Sequence, residues 1–215
     1  MFLFRLDLSR TRLRIGSTLL AFLLPLLVGG WIVHSNYLYD LKADSRASAH
    51  KAMTLMEEVL DRAEQVNREM LPFVAAPCER NLLLLRKKVA LEPFLRSVNL
   101  VSDGVIRCTS LFGAVREADD GSRYLDRKLL LMRGNKVRQN HPLLVVRTEQ
   151  GRDAVLSAVD SSLLGFMLSL GDKPDVLLLQ VGSASIDEAG RYLDHVPRLE
   201  RSTSLEISSK RYPFT

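Results

Sequence analysis

Cysteine is scarce: the 215-residue chain has two, too few for a disulfide-dense mini-protein or a four-Cys zinc fold. Glycine and proline number 12 and 8, which excludes collagen-like and Pro-rich repeats. There is no Gly-x-x-x-x-Gly-Lys phosphate loop and no His-Glu-x-x-His zinc motif. Neither cysteine sits in a Cys-x-x-Cys pair, which argues against an oxidoreductase. His34, His50, His141 and His195 are scattered in sequence and suggest no metal site. Asp119-Asp120-Gly121 lacks the further oxygen ligands of an EF-hand and reads as a turn. Nothing in the sequence points to a catalytic site, a metal or a cofactor.

What is present is ordinary for a folded protein, with 47% hydrophobic and 26% charged residues. The net charge of +5 is unevenly placed. Arg5, Arg10, Arg12 and Arg14 against Asp7 put +3 of it into residues 1–14. The basic pI therefore belongs mostly to the N-terminal tail and does not point to nucleic acid.

Residues 15–33 carry no charge. As a helix rising 1.5 Å per residue, such a run spans roughly 30 Å, the hydrocarbon thickness of a bilayer. Trp31, Tyr37 and Tyr39 suit the far headgroup region, and the arginines hold the N-terminus in the cytoplasm by the positive-inside rule. The small residues of Val28-Gly29-Gly30 would suit a signal-peptide cleavage site, but the apolar run continues past them, which favours a retained anchor. The expected layout is a cytoplasmic tail over 1–14, a transmembrane helix over 15–33 and an exported domain over 34–215.

Residues 35–71 read as a long stem helix ended by Pro72. Leu38, Leu41, Ala52, Leu55, Val59, Ala63, Val66 and Met70 recur at three- and four-residue steps. The stem could pack on its own domain, pair between subunits, or do both. A second helix is expected over 79–91. Two β-prone runs, 97–102 and 105–110, flank Asp103-Gly104 and predict a hairpin. Residues 114–127 are polar and read as a loop. Strands are expected at 129–132, 143–148, 176–182, 185–192 and 204–208, and residues 152–170 read as helical with a break near Asp160. The order suggests an α+β domain, an antiparallel sheet flanked by helices.

Cys78 and Cys108 both fall in the exported part, where a disulfide is the default. The closed loop of about 30 residues is worth roughly 3.6 kcal/mol in the chain-entropy model. The bond could be a structural staple or a redox switch, and cysteine count leaves both open.

Residues 92–113, Glu-Pro-Phe-Leu-Arg-Ser-Val-Asn-Leu-Val-Ser-Asp-Gly-Val-Ile-Arg-Cys-Thr-Ser-Leu-Phe-Gly, resemble the CSS-motif domain. That is the periplasmic region in front of EAL-type cyclic di-GMP phosphodiesterases of Gram-negative bacteria. Cys78 matches the family's upstream cysteine, Cys108 the second one, and Ser110 the final serine. Thr109 stands where the family usually has serine, keeping the hydroxyl and adding a methyl. Residues 208–214 resemble the last strand before the family's second membrane helix. The resemblance implies a disulfide formed by the periplasmic thiol-oxidation machinery, which restrains the phosphodiesterase until the bond is lost. It also implies placement in the bacterial inner membrane. Neither Glu-Ala-Leu nor Gly-Gly-Asp-Glu-Phe occurs in the sequence, so this stretch is not expected to hydrolyse cyclic di-GMP, which needs metal-holding carboxylates. Partners expected on this reading are a second copy of the chain or a full-length EAL protein. Two rival readings are a periplasmic sensor that binds a small molecule over a purely structural disulfide, and a non-sensing subunit of a full-length relative.

Overall fold

One helix, α1 (Leu3–Met70), runs from the N-terminal tail through the apolar span into the stem, with Pro25 inside it. The structure is a computed structural model; it describes residues 3–137, 139–170, 176–195 and 205–215, with side chains of the first helix from residue 20 onward. Two compact units are distinguished, Met1–Asp44 and Ser45–Thr215. In the first, Leu20, Phe22, Leu26, Leu27 and Trp31 lie exposed along α1. Helix residues exposed and apolar on every side are suited to lipid rather than water. Among the described residues this is the one helix long and apolar enough to cross a membrane.

In the second unit the stem stripe is buried from Ala52 onward, through Val59, Ala63, Val66 and Met70, together with Met56 and Leu60. A short 3-10 turn, Leu71–Phe73, holds Pro72 and ends the helix. Proline at such a start costs no hydrogen bond but cannot continue the α-helix. Helix α2 (Cys78–Leu91) follows. The chain then forms β1 (Leu95–Ser102), β2 (Val105–Thr109), β3 (Gly113–Ala118), β4 (Leu129–Met132), β5 (Leu143–Gln150) and β6 (Asp153–Asp160). These make one antiparallel sheet in the order β3-β2-β1-β6-β5-β4. Helix α3 (Ser161–Ser169) leads to a small antiparallel sheet of β7 (Leu179–Val181), β8 (Ala184–Ile186) and β9 (Tyr192–Leu193). The architecture is α+β, an N-terminal helix able to span a membrane followed by an antiparallel sheet with helices.

The hairpin falls where the sequence places it. Asp103 and Gly104 both take positive φ, 52° and 69°, the backbone that a two-residue turn between right-twisted strands requires. Four expectations are corrected. Residues 152–170 are not helical throughout: β6 occupies the first half, and only the part after Asp160 is helix. β6 sits between β1 and β5 with Ala154 to Val159 all buried. A strand covered on both faces has no alternation to reveal it. The expected loop at 114–127 begins with β3, an edge strand whose side chains mostly face solvent, so backbone pairing with β2 defines it. The expected strand at 185–192 is two short strands around the Asp187–Gly190 turn, and residues 205–208 are irregular; residue 204 lies outside the described part.

The main core lies between the stem, α2 and one sheet face, with Leu100, Leu144, Val146, Val155 and Val159 contributed by the strands. Within it Asn67 is fully buried. Its Nδ2 donates to the Val146 carbonyl at 3.0 Å and to Thr148 Oγ1 at 3.2 Å, and its Oδ1 accepts from Ser157 Oγ at 2.6 Å. The amide thus anchors α1 to β5 and β6. The opposite sheet face carries a smaller cluster of Val101, Tyr124, Leu143, Val145, Leu156 and Ala158. There the nearly buried Arg147 Nε donates to Asp119 Oδ2 at 3.1 Å, and the Tyr124 hydroxyl donates to Asp119 Oδ1 at 2.9 Å. Burial first, and the Asp119 charge second, push the Tyr124 hydroxyl pKa well above its ordinary value.

Asp160 joins three elements. It caps α3 by accepting from the Ser162 N–H at 2.8 Å, meets His141 Nε2 at 2.9 Å and pairs with Arg96 at 3.1 Å. Burial works to raise its carboxyl pKa, but the Ser162 backbone bond and His141 outweigh it and hold the group below its ordinary value. A depressed carboxylate stabilises the fold above its unfolded-state pKa and stops doing so as pH falls through the folded one. Asp160→Ala should therefore cost about 1 kcal/mol at neutral pH, a typical cap loss. The difference from wild type should shrink below about pH 4, where unfolded Asp protonates. Denaturant unfolding of both proteins at neutral and acidic pH measures it; a cost that persists unchanged at pH 3 contradicts the assignment.

Candidate functional site

The cysteine pair lies where the stem hands over to the second helix. The chain leaves the Leu71–Phe73 turn, and Pro77, extended at φ −56° and ψ 142°, sets the start of α2 at Cys78. Asn81, buried, reaches back and donates to the Phe73 carbonyl at 2.7 Å and the Ala76 carbonyl at 3.3 Å. This closes the connection on itself, adding to the backbone bond from the Ala76 N–H that the Phe73 carbonyl already accepts at 3.1 Å. The last turns of α1 and α2 are cross-braced by Glu69 and Lys88. Hydrogen bonds from Lys88 and then Gln65 hold the Glu69 carboxyl below its ordinary pKa; the pair is exposed, so its contribution to stability is small.

Cys108 is the fourth residue of β2, across from Leu100 on β1 and Ala114 on β3. It is 2% exposed. The structure joins it to Cys78 in a disulfide with a Cα–Cα distance of 5.2 Å, inside the range such bonds span. The crosslink ties the first residue of α2 to an inner strand of the sheet.

Thr109 and Ser110 have distinct backbone tasks. The Ser110 N–H donates to the Val98 carbonyl at 2.9 Å, and its hydroxyl oxygen accepts from the Val98 N–H at 3.1 Å. The side chain stands in for a strand partner where the β1–β2 pairing runs out. Thr109 Oγ1 accepts from the Phe112 N–H at 2.9 Å, closing the turn into β3. Both tasks need a hydroxyl oxygen, so threonine fulfils its task as serine would. Arg86 Nε on α2 donates to the Ser110 carbonyl at 3.1 Å. Gly113 has φ 78°, and a Cβ there would stand 3.5 Å from Leu82 of α2. Only glycine takes that backbone conformation at no steric cost. Cys108, Thr109 and Ser110 are thus brought together with Cys78 under α2.

Two features escaped the sequence reading. Asn67 is one; its signal was a lone amide inside an otherwise apolar stripe. The other is an acidic ladder on α1, visible in sequence as carboxylates four and three residues apart. Glu57 accepts from Ser209 Oγ at 2.5 Å, Asp61 from the Tyr212 hydroxyl at 2.7 Å and Glu64 from the same hydroxyl at 3.1 Å. Arg211 pairs with Asp61 at 2.5 Å. Burial, then the bond to Asp61 and the charge of Glu64, push the Tyr212 hydroxyl pKa up. Thr215 exchanges two backbone hydrogen bonds with Gln180 of β7, at 2.6 and 3.0 Å. Residues 209–215 thus strap α1 to the small sheet, although they form no strand.

A cavity of about 260 Å³ lies between the stem and this strap, lined by Met53, Met56, Leu168, Leu179, Ile207 and Phe214 among others. Its described lining is predominantly apolar. The chemistry that the cysteine pair itself offers is two-electron thiol–disulfide exchange.

Ser110→Ala should leave the Val98 N–H without an acceptor, and an unsatisfied buried donor costs about 1–3 kcal/mol. Thr109→Ser should be close to neutral. Chemical denaturation of the three proteins checks both; a neutral Ser110→Ala would mean that water or a shifted backbone replaces the hydroxyl.

The family described as "CSS motif domain associated with EAL" matches residues 41–215. A probable cyclic di-GMP phosphodiesterase of Escherichia coli (strain K12), PdeD, is 28% identical over 187 residues, covering 78% of this chain and 33% of that protein. A second from the same organism, PdeG, is 24% identical over 204 residues, covering 90% of this chain and 39% of that protein. The chain spans between a third and two-fifths of the length of these curated relatives. On the matched residues, the chain belongs to the CSS-motif domain family.

Proposed function

We propose that this chain is the membrane-anchored periplasmic sensor part of a cyclic di-GMP phosphodiesterase, and that the Cys78–Cys108 disulfide is its redox-sensitive element. Residues 1–14 would lie in the cytoplasm, 15–33 would cross the inner membrane, and 34–215 would face the periplasm. The observation that carries the reading is the position of the bond, a few residues beyond the end of α1 and fastened to an inner strand. A crosslink far from the stem could stabilise the domain, but it would have little purchase on a helix that continues into the membrane.

The route from the bond outwards is short. The disulfide and Asn81 fix the connection between α1 and α2. Asn67 fixes α1 to the sheet, and the Glu57, Asp61 and Glu64 ladder fixes it to residues 209–215. A change in the tilt or register of the stem on the sheet would therefore be felt by residues 209–215. If the bond's few kcal/mol act differently on two states, the population shifts by more than tenfold. On this reading the oxidised form restrains the phosphodiesterase, the thiol-oxidation machinery of the periplasm makes the bond, and the output partner is an EAL domain, in the same protein or in an associated one. A second copy of the chain paired along the stem is compatible with it.

The staple reading also has an observation behind it. Asn81, the Glu69–Lys88 brace and the Arg86 contact hold the same junction without the disulfide. If they suffice, the bond stabilises both states equally and signals nothing.

Two measurements address these claims. A reporter that works only outside the cytoplasm, fused after Thr215, should be active; a cytoplasmic reporter active there would reverse the topology. Residues 1–215 joined to a second membrane span and an EAL domain should give more phosphodiesterase output per molecule when Cys78→Ala or Cys108→Ala is introduced. Unchanged output with a lower melting temperature would mark the bond as a staple.

A further inference from the structure

The two cysteines are not equally buried, and their inequality assigns them different roles. Cys108 is 2% exposed, on an inner strand with Thr109 and Ser110 also buried beside it. Cys78 is only partly buried, and Ala75, Pro77, Glu79 and Arg80 around it are all exposed. Cys78 is also the first residue of the 14-residue α2, whose cap residue, Pro77, offers no side-chain hydrogen bond to the helix N-terminus. The N–H groups at that helix start, of which Arg80's already donates to the Pro77 carbonyl at 3.1 Å, favour a negative charge placed there, and a thiolate, not a thiol, is the attacking species in exchange. Glu79 opposes this and Arg80 supports it, both from solvent-exposed positions where their influence is screened.

We propose that Cys78 is the thiol through which electrons enter and leave the pair, and that Cys108 is the resolving thiol. The proposal rests on the pair undergoing exchange, as in the redox reading above, but not on its signalling anything. In oxidation the Cys78 thiolate attacks one sulfur of a disulfide reagent. A mixed disulfide forms on Cys78 as the reagent's own S–S bond breaks, and its other half leaves as a thiolate. Cys108 then loses its proton and attacks Cys78 Sγ. The bond between Cys78 and the reagent breaks, releasing the second thiolate, and the intramolecular bond forms. Two electrons have passed from the pair to the reagent. Reduction is the reverse: an external thiolate attacks the sulfur of Cys78, the less buried of the two residues, and Cys108 leaves. A second thiol then releases Cys78.

The test uses the full chain and glutathione as the probe. The native, oxidised protein is given reduced glutathione, quenched with acid at short times, and mapped by mass spectrometry. The adduct should sit on Cys78 in excess over Cys108 by about tenfold or more, the order that thiol access and thiolate stability produce. In parallel, Cys108→Ser and Cys78→Ser are given oxidised glutathione. The mixed disulfide should form on Cys78 of the first variant at least about tenfold faster than on Cys108 of the second. This ratio should fall towards one in concentrated guanidinium, where fold-dependent access is lost. Adducts shared equally by the native protein, or found first on Cys108, would overturn the proposal whether or not the variants fold. A Cys78 adduct together with unchanged output in the phosphodiesterase chimera would leave the entry role standing and remove only the signalling role.

Discussion

The second unit is organised around an amide that cannot be left unpaired. Asn67 sits on the apolar face of α1, shielded from water, where an unsatisfied carboxamide would be expensive. Its bonds to the Val146 carbonyl, Thr148 and Ser157 are met at one register of the helix against β5 and β6. Leu60, Ala63, Val66 and Met70 would tolerate small slides, since hydrophobic contact is not directional. The amide does not tolerate them. The stem part of α1 is therefore placed on the sheet to within a hydrogen-bond length.

The remaining polar contacts extend the same principle to the places where the backbone would be left open. Asn81 closes the connection after the stem, Ser110 replaces a missing strand partner for Val98, and Thr109 closes the turn into β3. The disulfide joins two of these closures, and the hydroxyls of the motif hold the strand end that carries Cys108. On the other face of the sheet, Arg147, Asp119 and Tyr124 pin the segment that follows β3. The Asn81 and Thr109 closures are local, spanning 8 and 3 residues, whereas the Arg147–Asp119 pair joins residues 28 apart and becomes available only once the sheet has formed. The strap at residues 209–215 belongs to the same class. Its contacts with Glu57, Asp61 and Glu64 bring the last described residues onto the stem, so the helix is held from two sides.

Legibility followed the locality of the physics. The hairpin at Asp103-Gly104 was readable because the turn's backbone demands are met by two adjacent residues. The stem stripe was readable from periodicity, and α2 began one residue before its expected start. β6 was misread because Ala154 to Val159 contain no polar alternation, and a short apolar run of that kind suits a buried helix equally well. β3 was misread for the opposite reason, since its side chains carry almost no apolar signal and the strand exists through its pairing with β2. The pairing of Cys78 with Cys108 was legible by count and by family resemblance, whereas the unequal exposure of the two cysteines was not.

By itself the sequence determined the candidate membrane helix, the α+β class, the family and the identity of the cysteine pair. Each is written in composition, in short-range periodicity or in a contiguous motif. Tertiary structure alone decided that β6 is the centre of the sheet, that Asn67 locks α1 to it, and that Tyr212 and Ser209 reach the stem's acidic ladder. It also decided that Cys78, at a helix start, is only partly buried while Cys108, on an inner strand, is 2% exposed. These depend on contacts between residues tens of positions apart, up to 152 for Ser209 and Glu57. A side chain's partner at that distance depends on how the whole chain packs, and no local pattern carries it.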